Sequence, residues 1–412
     1  METEITKGIR RNRFVYSFLR ITFGWICRLM RNFSYEPCKI KGKTVLFLSN
    51  HNSDWDPLYM VIGMKRHMKF VASANILSGF VGRIIAFLSG PIPRPKGASA
   101  DETVELIGKN LAAGISVAMF PEGNKSWDGR TCFISARTAA LLKENSCGLV
   151  TYRLDGDYLK TPRWARYKRH GRVTGRMVHE YLPEELQQMT EEEIYQAIVQ
   201  DLSVDAYEFQ KEHQYLYRGK KKAEGFENLA YFCPKCRKFG TIRTADDQIF
   251  CDCGLKMNYT DLGYLEDLSN TGAGGSDNAL DGAEKLPENA AEWNRLQISY
   301  LTEHAEELRK KTEEPVRTDA HCTLYRTEDT EKQAVMTDGT VFVYGDRIEC
   351  VPQDGTTAQT FYWRDVEKMG MFRNYSVYLT CQDKRYEIRR ESGISGIFYF
   401  AFWRIMTGKE LY

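Results

Sequence analysis

Net charge is nearly absent from this chain: 57 Lys and Arg stand against 55 Asp and Glu in 412 residues, a formal +2. That balance gives no global sign of nucleic-acid binding. No apolar run reaches the roughly 18–20 residues that a bilayer-spanning helix needs, so no transmembrane helix is expected. Disulfides are not expected either. The 11 cysteines are odd in number and scattered, with no secretory leader in front of them, and a reduced compartment is the better reading. One local absence is sharper. From Lys7 to Arg31 the chain has no acid, while Lys7, Arg10, Arg11, Arg13, Arg20, Arg28 and Arg31 are all present.

What is there suffices for two or three domains and a sizeable core. Arg10 to Phe33 reads as a helix, because Phe14, Val15, Phe18, Leu19, Ile21, Trp25, Ile26, Leu29 and Met30 fall near helical spacing with arginines between them. A basic amphipathic helix with Trp and Phe on its apolar side suits an anionic membrane surface. It suits equally a helix packed on its own domain with its arginines in water, and both readings stay open.

From there to about residue 210 strands and helices alternate, which argues an α/β domain. Expected strands are Lys43 to Leu48, Lys69 to Ser73, Ile115 to Phe120 and Cys147 to Leu154; expected helices are Asp101 to Ala113, Ser135 to Asn145 and an acid-rich one from Thr190 to Tyr217. The apolar run Ile76 to Leu88 is either a core helix or an apolar lip. The first strand runs into Ser49-Asn50-His51, with Asp56 five residues beyond His51. If that turn enters a helix, the Asp56 carboxylate can bond one imidazole nitrogen and leave the other to take a proton from a hydroxyl; helix capping is the plainer use of such a pair. Arg94 is stiffened by Pro91, Pro93 and Pro95. A third strand ends in Pro121-Glu122-Gly123-Asn124-Lys125, the usual position of a site in an α/β domain. Arg153 to Arg176 is again basic and reads as a solvated hairpin, or as a patch for a lipid headgroup or an acidic partner.

Taken in order, Asn50-His51 with Asp56, Gly90 to Arg94, Phe120 to Gly123 and Leu149 to Arg153 resemble the four-motif series of the glycerolipid acyltransferase family, nearest the 1-acylglycerol-3-phosphate acyltransferases. The resemblance covers roughly residues 30 to 210. It implies that His51 is a general base oriented by Asp56, and that an acyl group passes from a thioester of coenzyme A or acyl carrier protein to a hydroxyl of a membrane lipid acceptor. It further implies that Arg94, Glu122, Gly123, Asn124 and Lys125 bind the acceptor and its phosphate. Lys125 stands where the family more often has arginine, Asn124 where it often has threonine, and Thr151 where a proline is usual. Another acceptor, such as glycerol 3-phosphate or another lysolipid, therefore stays open, as does a non-catalytic adaptor. The resemblance sets an acyltransferase domain at 1–220, peripheral on the cytoplasmic side of the membrane through its N-terminal helix.

In the remainder, Cys233, Cys236, Cys251 and Cys253 form two close pairs, the second followed by Gly254, which suits a tetrahedral structural Zn²⁺ site, with reactive-disulfide use as the alternative. With alternating residues between the pairs, the stretch 225–266 resembles a zinc ribbon. It lacks the aromatic and basic interleaving wanted for nucleic-acid binding, and none is expected. A linker at 267–284, a polar helix within 285–315 and a small β domain at 316–412 with a C-terminal helix complete the chain. Strand count and final helix give that last part a pleckstrin-homology-like resemblance.

Overall fold

The structure, a computed structural model, describes residues 8–73, 77, 79–94, 101–268, 285–328 and 331–409. Contacts divide the chain into two compact units, residues 1–162 with 170–218, and residues 163–169 with 219–412. The linker expected at 267–284 lies, from residue 269 on, outside the described residues, as does Pro95.

The first unit is built on a seven-stranded sheet of order β1-β7-β6-β2-β5-β3-β4. Its strands are β1 (Phe33–Tyr35), β2 (Val45–Ser49), β3 (Lys69–Ser73), β4 (Ile92–Arg94), β5 (Val117–Met119), β6 (Gly148–Asp155) and β7 (Val173–Tyr181). Strand β2 pairs in parallel with β5 and β6, and β3 pairs in parallel with β5 and β4. Every residue of β2 is buried, as a central parallel strand covered on both faces requires. This topology matters for the site. His51 follows β2, Arg94 ends β4 and Glu122 follows β5, so turns far apart in sequence all open at the carboxyl edge of one parallel sheet. Only β7, returning antiparallel to β6, and β1 beside it run the other way.

Helix α1 (Ile9–Met30) ends short of the expected Phe33, which instead enters β1. Its exposed side carries Phe14, Phe18, Ile21, Trp25 and Leu29, all at least half exposed, while Asn12, Tyr16 and Cys27 face inward. The run read as core helix or lip forms the helix Gly79–Ser89, with Phe80, Ile84 and Phe87 exposed along one side. It lies on the surface and not in the core. The single helix expected from Thr190 to Tyr217 is two, Glu191–Leu202 and Ala206–His213. The break is made by Asp205, whose carboxylate caps the amides of Tyr207 and Glu208 and so starts a new helix. No helix among the described residues is long and apolar enough to cross a membrane.

One packing detail can be tested. Helix α2 (Asp56–Met64) lies over the buried Tyr152 of β6, and a Cβ on Gly63 would overlap the tyrosine hydroxyl. Gly63→Ala should therefore destabilise the protein by about 1–3 kcal/mol, the usual cost of overpacking. Tyr152→Phe in the same chain should recover part of that loss, read from urea-unfolding midpoints; no recovery would mean that the clash lies elsewhere.

The second unit holds a four-stranded antiparallel sheet, β8 (Arg243–Ala245), β9 (Gln248–Cys251), β10 (Leu255–Tyr259) and β11 (Leu265–Asp267), and a seven-stranded antiparallel one. Strands β12 (Arg317–Glu328), β13 (Glu331–Val343), β14 (Arg347–Val351), β15 (Gln359–Tyr362), β16 (Val366–Phe372), β17 (Ser376–Cys381) and β18 (Lys384–Arg389) form the latter. The seven strands and the closing helix Gly396–Met406 are the features on which the pleckstrin-homology-like resemblance rests. The helix Ala290–Glu303 ties the cysteine-bearing segment down: Trp293 Nε1 donates to the Phe232 carbonyl at 3.0 Å and Gln297 Nε2 to that of Leu229 at 3.0 Å. Tyr231 and Phe232, just before Cys233, share one hydrophobic core with the seven-stranded sheet and its helix.

Candidate active site

His51 sits two residues past β2 with its backbone held at both ends. Its N–H donates to Glu122 Oε1 at 2.7 Å, and its carbonyl accepts from the Ser126 N–H at 3.0 Å. The turn after β5 is thus fastened to the turn after β2 through the histidine itself. Glu122 accepts a second amide, that of Cys132, at 2.6 Å on its other oxygen. Burial pushes its carboxyl up to about 8, against the two amides that favour the charged form and with the Asp56 carboxylate adding to the rise.

The imidazole Nδ1 lies 2.8 Å from Asp56 Oδ2. Asp56 begins α2 and is fully buried; it also accepts the amides of Asn52 and Ser53 at 2.6 and 2.8 Å and the Ser53 hydroxyl at 3.2 Å. With donors on every side the carboxylate accepts, so the imidazole carries its proton on Nδ1 and presents Nε2 as a base. The Phe120 ring stacks on the imidazole, centroids 4.2 Å apart, and fixes its plane.

Arg94 reaches the same edge. A Cβ on Gly123 would stand 3.3 Å from Arg94 Nη1, so the guanidinium lies against the glycine turn, whose φ of +66° suits glycine. Lys125 Nζ donates to Asp54 Oδ1 at 2.8 Å, which sets its ammonium over the His51 turn. Asn124 is exposed. The structure therefore brings His51, Asp56, Arg94, Glu122, Gly123 and Lys125 together, with Glu122 facing backbone amides. In the fourth motif Thr151 donates to Asp201 at 2.7 Å and Arg153 to the Asp201 carbonyl at 2.9 Å, which ties β6 to a helix end.

Residues to which sequence reasoning gave no role in the site lie behind Asp56. Asn50 exchanges two 2.8 Å bonds with the Leu154 backbone and locks β2 to β6. Asp157, fully buried after β6, pairs with Arg31 at 3.2 Å; burial and the nearby Asp56 carboxylate push its carboxyl up. Arg31 also donates to the Tyr59 hydroxyl at 3.0 Å and lies over the Trp55 ring. The signal that could have found Asp157 is the one used for Glu122, a buried strand running into a glycine-containing polar turn.

In the second unit the Sγ atoms of Cys233, Cys236, Cys251 and Cys253 all lie within 4.8 Å of one another. Cys233 and Cys253 are 3.6 Å apart, Cys236 and Cys251 3.8 Å. The group can hold a metal ion.

Residues 31–151 match the family model for acyltransferases. The match takes in His51, Asp56, Arg94 and the Glu122 to Lys125 turn, in line with the glycerolipid acyltransferase resemblance. Among 22 matching chains of solved structures are two that align with parts of this chain. The 1-acyl-sn-glycerophosphate acyltransferase PlsC of Thermotoga maritima aligns with 46% of this chain and 75% of its own, at 18% identity and a TM-score of 0.39. The C-terminal domain of an unknown protein from Leishmania infantum aligns with 28% of this chain and 99% of its own, at 7% identity and a TM-score of 0.18. No curated protein matches the chain.

Proposed function

We propose that the first unit transfers a fatty acyl group from a thioester, of coenzyme A or acyl carrier protein, to the free hydroxyl of 1-acylglycerol 3-phosphate, giving phosphatidic acid. The observation that carries this reading is the 2.8 Å contact between His51 Nδ1 and the buried Asp56, at the edge where Arg94 meets the Gly123 turn. His51 Nε2 takes the hydroxyl proton as the oxygen attacks the thioester carbonyl. Asp56 stabilises the imidazolium so formed. The C–S bond then breaks, and the proton passes from His51 to the departing thiolate, which leaves as the thiol.

Arg94 and Lys125 meet the acceptor phosphate. Lys125 has Asp54 as its ion-pair partner, a largely exposed carboxylate. Surface pairs of that kind are worth about 0–1 kcal/mol, so a phosphate dianion can take the place of Asp54. Arg94→Ala should raise the acceptor KM about 10- to 100-fold and change kcat less, because it removes charge-assisted bonds made in ground state and transition state alike. Steady-state kinetics with varied lysophosphatidic acid check this, and an unchanged KM contradicts it. The acceptor itself is tested by a panel of lysolipids and glycerol 3-phosphate with one acyl thioester, read by mass spectrometry. Lysophosphatidic acid is expected to be the best acceptor, and preference for another would replace it.

The same unit works at a membrane surface. Support comes from the outward stripe of α1, with Phe14 at 72% and Trp25 at 68% exposure, flanked by arginines. Arg11 joins it to the helix Gly79–Ser89, donating to the Phe87 carbonyl at 2.7 Å and lying over the Phe87 ring. The enzyme is peripheral, on the cytoplasmic face.

For the second unit we propose structural Zn²⁺. A tetrahedron with Zn–S bonds of about 2.3 Å has edges of about 3.8 Å, and the 3.6 and 3.8 Å sulfur separations fit it. Four thiolates close the shell, so the metal would hold the fold and take no substrate. Purified protein should contain about one zinc per chain, and Cys251→Ser should lose it and lower the thermal midpoint. Metal-free protein with an unchanged midpoint would contradict the assignment.

A further inference from the structure

Beside the C-terminal end of α1 lies an open recess of about 290 Å³ whose lining includes Lys160, His170, Arg218, Leu29, Met30 and Leu216 and no acid. Lys160 forms the floor. Its side chain is buried, and its ammonium donates to the carbonyls of Arg31 and Gly171. Those bonds use two of its three donors. Asp157, a carboxylate acting on Lys160, is paired with Arg31.

His170 and Arg218 are opposite each other in an antiparallel bridge closed by two backbone bonds, His170 N–H to the Arg218 carbonyl at 2.7 Å and the reverse at 2.9 Å. Residues so paired project their side chains to the same side, where the imidazole and the guanidinium can both donate to one anion. Two exposed cross-strand bases over a buried ammonium make a triad suited to a phosphate. The rim is of opposite character: Leu29 is 64% exposed, Met30 72% and Leu216 43%. Leu29 and Met30 also end the outward apolar stripe of α1.

We propose that this recess binds the phosphate of an anionic membrane phospholipid, with the lipid's chains running along Leu29, Met30 and Leu216 into the bilayer. A free phosphate would use the cations but leave the apolar rim in water; a lipid uses both. The site is separate from the acceptor site, since none of its lining residues surrounds His51. It rests on the reading of α1 as a membrane-facing helix and adds to it a specific headgroup. Burial and the neighbouring Arg31 guanidinium pull Lys160 down to about 8, a cost that a bound phosphate would offset.

The test is flotation of the full chain with phosphatidylcholine vesicles, with and without phosphatidic acid. Wild type should favour the phosphatidic acid vesicles by about tenfold or more, from roughly 1 kcal/mol for each basic residue at the surface. His170→Ala with Arg218→Ala should lower that preference several-fold and leave binding to phosphatidylcholine unchanged; both side chains are exposed, so the fold should tolerate the change. Arg137→Ala, the loss of one arginine elsewhere on the unit, should keep the preference. A preference undiminished in the recess variant, or one that falls equally in the control, overturns the site alone. Wild type binding to neither vesicle overturns the membrane reading and the site with it. Complete displacement by an equal concentration of inorganic phosphate overturns the assignment to a lipid.

Discussion

His51→Ala is expected to lower acyl transfer by about 10³-fold while the thermal midpoint stays within a degree or two of wild type. The size follows from the usual contribution of a positioned general base, about 10²–10⁴-fold. The fold survives because it holds this residue by the backbone. The bonds from its N–H to Glu122 and from the Ser126 N–H to its carbonyl do not involve the side chain. What is lost is the ring against Phe120 and one of the four donors to Asp56. Circular dichroism and a coupled thiol-release assay separate the two effects. Substantial residual transfer would remove His51 from the mechanism, and a collapsed midpoint would make it structural.

Variants of Asp56 are expected to behave differently, because the proposed role in chemistry adds to the bonds by which this carboxylate holds the fold. Asp56→Ala strips the acceptor from the amides of Asn52 and Ser53, both buried, and from the Ser53 hydroxyl. Each unpaired buried donor costs about 1–3 kcal/mol, so a loss of roughly 2–4 kcal/mol is expected together with loss of activity. Asp56→Asn separates the roles. Its amide oxygen can keep the backbone bonds, and its NH₂ can turn to the Ser53 hydroxyl, so stability should fall by about 1 kcal/mol or less. Transfer should still fall about 100-fold, because a neutral amide does not stabilise the imidazolium. Urea unfolding and kcat on both variants check this; full activity in the asparagine variant would take the carboxylate's charge out of the reaction.

Much of the site was legible in the sequence, for a physical reason. A central parallel strand must be apolar throughout, so Val45 to Leu48 announced itself, and the abrupt change at Asn50-His51 marked the sheet edge. The same reasoning found Glu122 and Gly123. What one-dimensional pattern does not carry is which strands lie side by side. That β4 ends near the turn after β5, with β3 between them, depends on the sheet order, and only that order sets Arg94 against Gly123. The buried Arg31, Lys160 and Asp157 were hidden for another reason: charge in a sequence reads as surface until its partner is known. Helix α1 was ambiguous because periodicity defines an apolar face without saying which way it points. The break at Asp205 was missed because acid-rich helical composition masked a cap.

The most direct measurement is phosphatidic acid formation from lysophosphatidic acid and one long-chain acyl-CoA, followed by mass spectrometry for wild type and His51→Ala side by side. Product that accumulates with wild type in step with thiol release, and is nearly absent with the variant, is the expected result. No acylated product from wild type with any lysolipid or glycerol 3-phosphate and any thioester, or equal product from both proteins, would contradict the assignment of a His51–Asp56 acyltransferase.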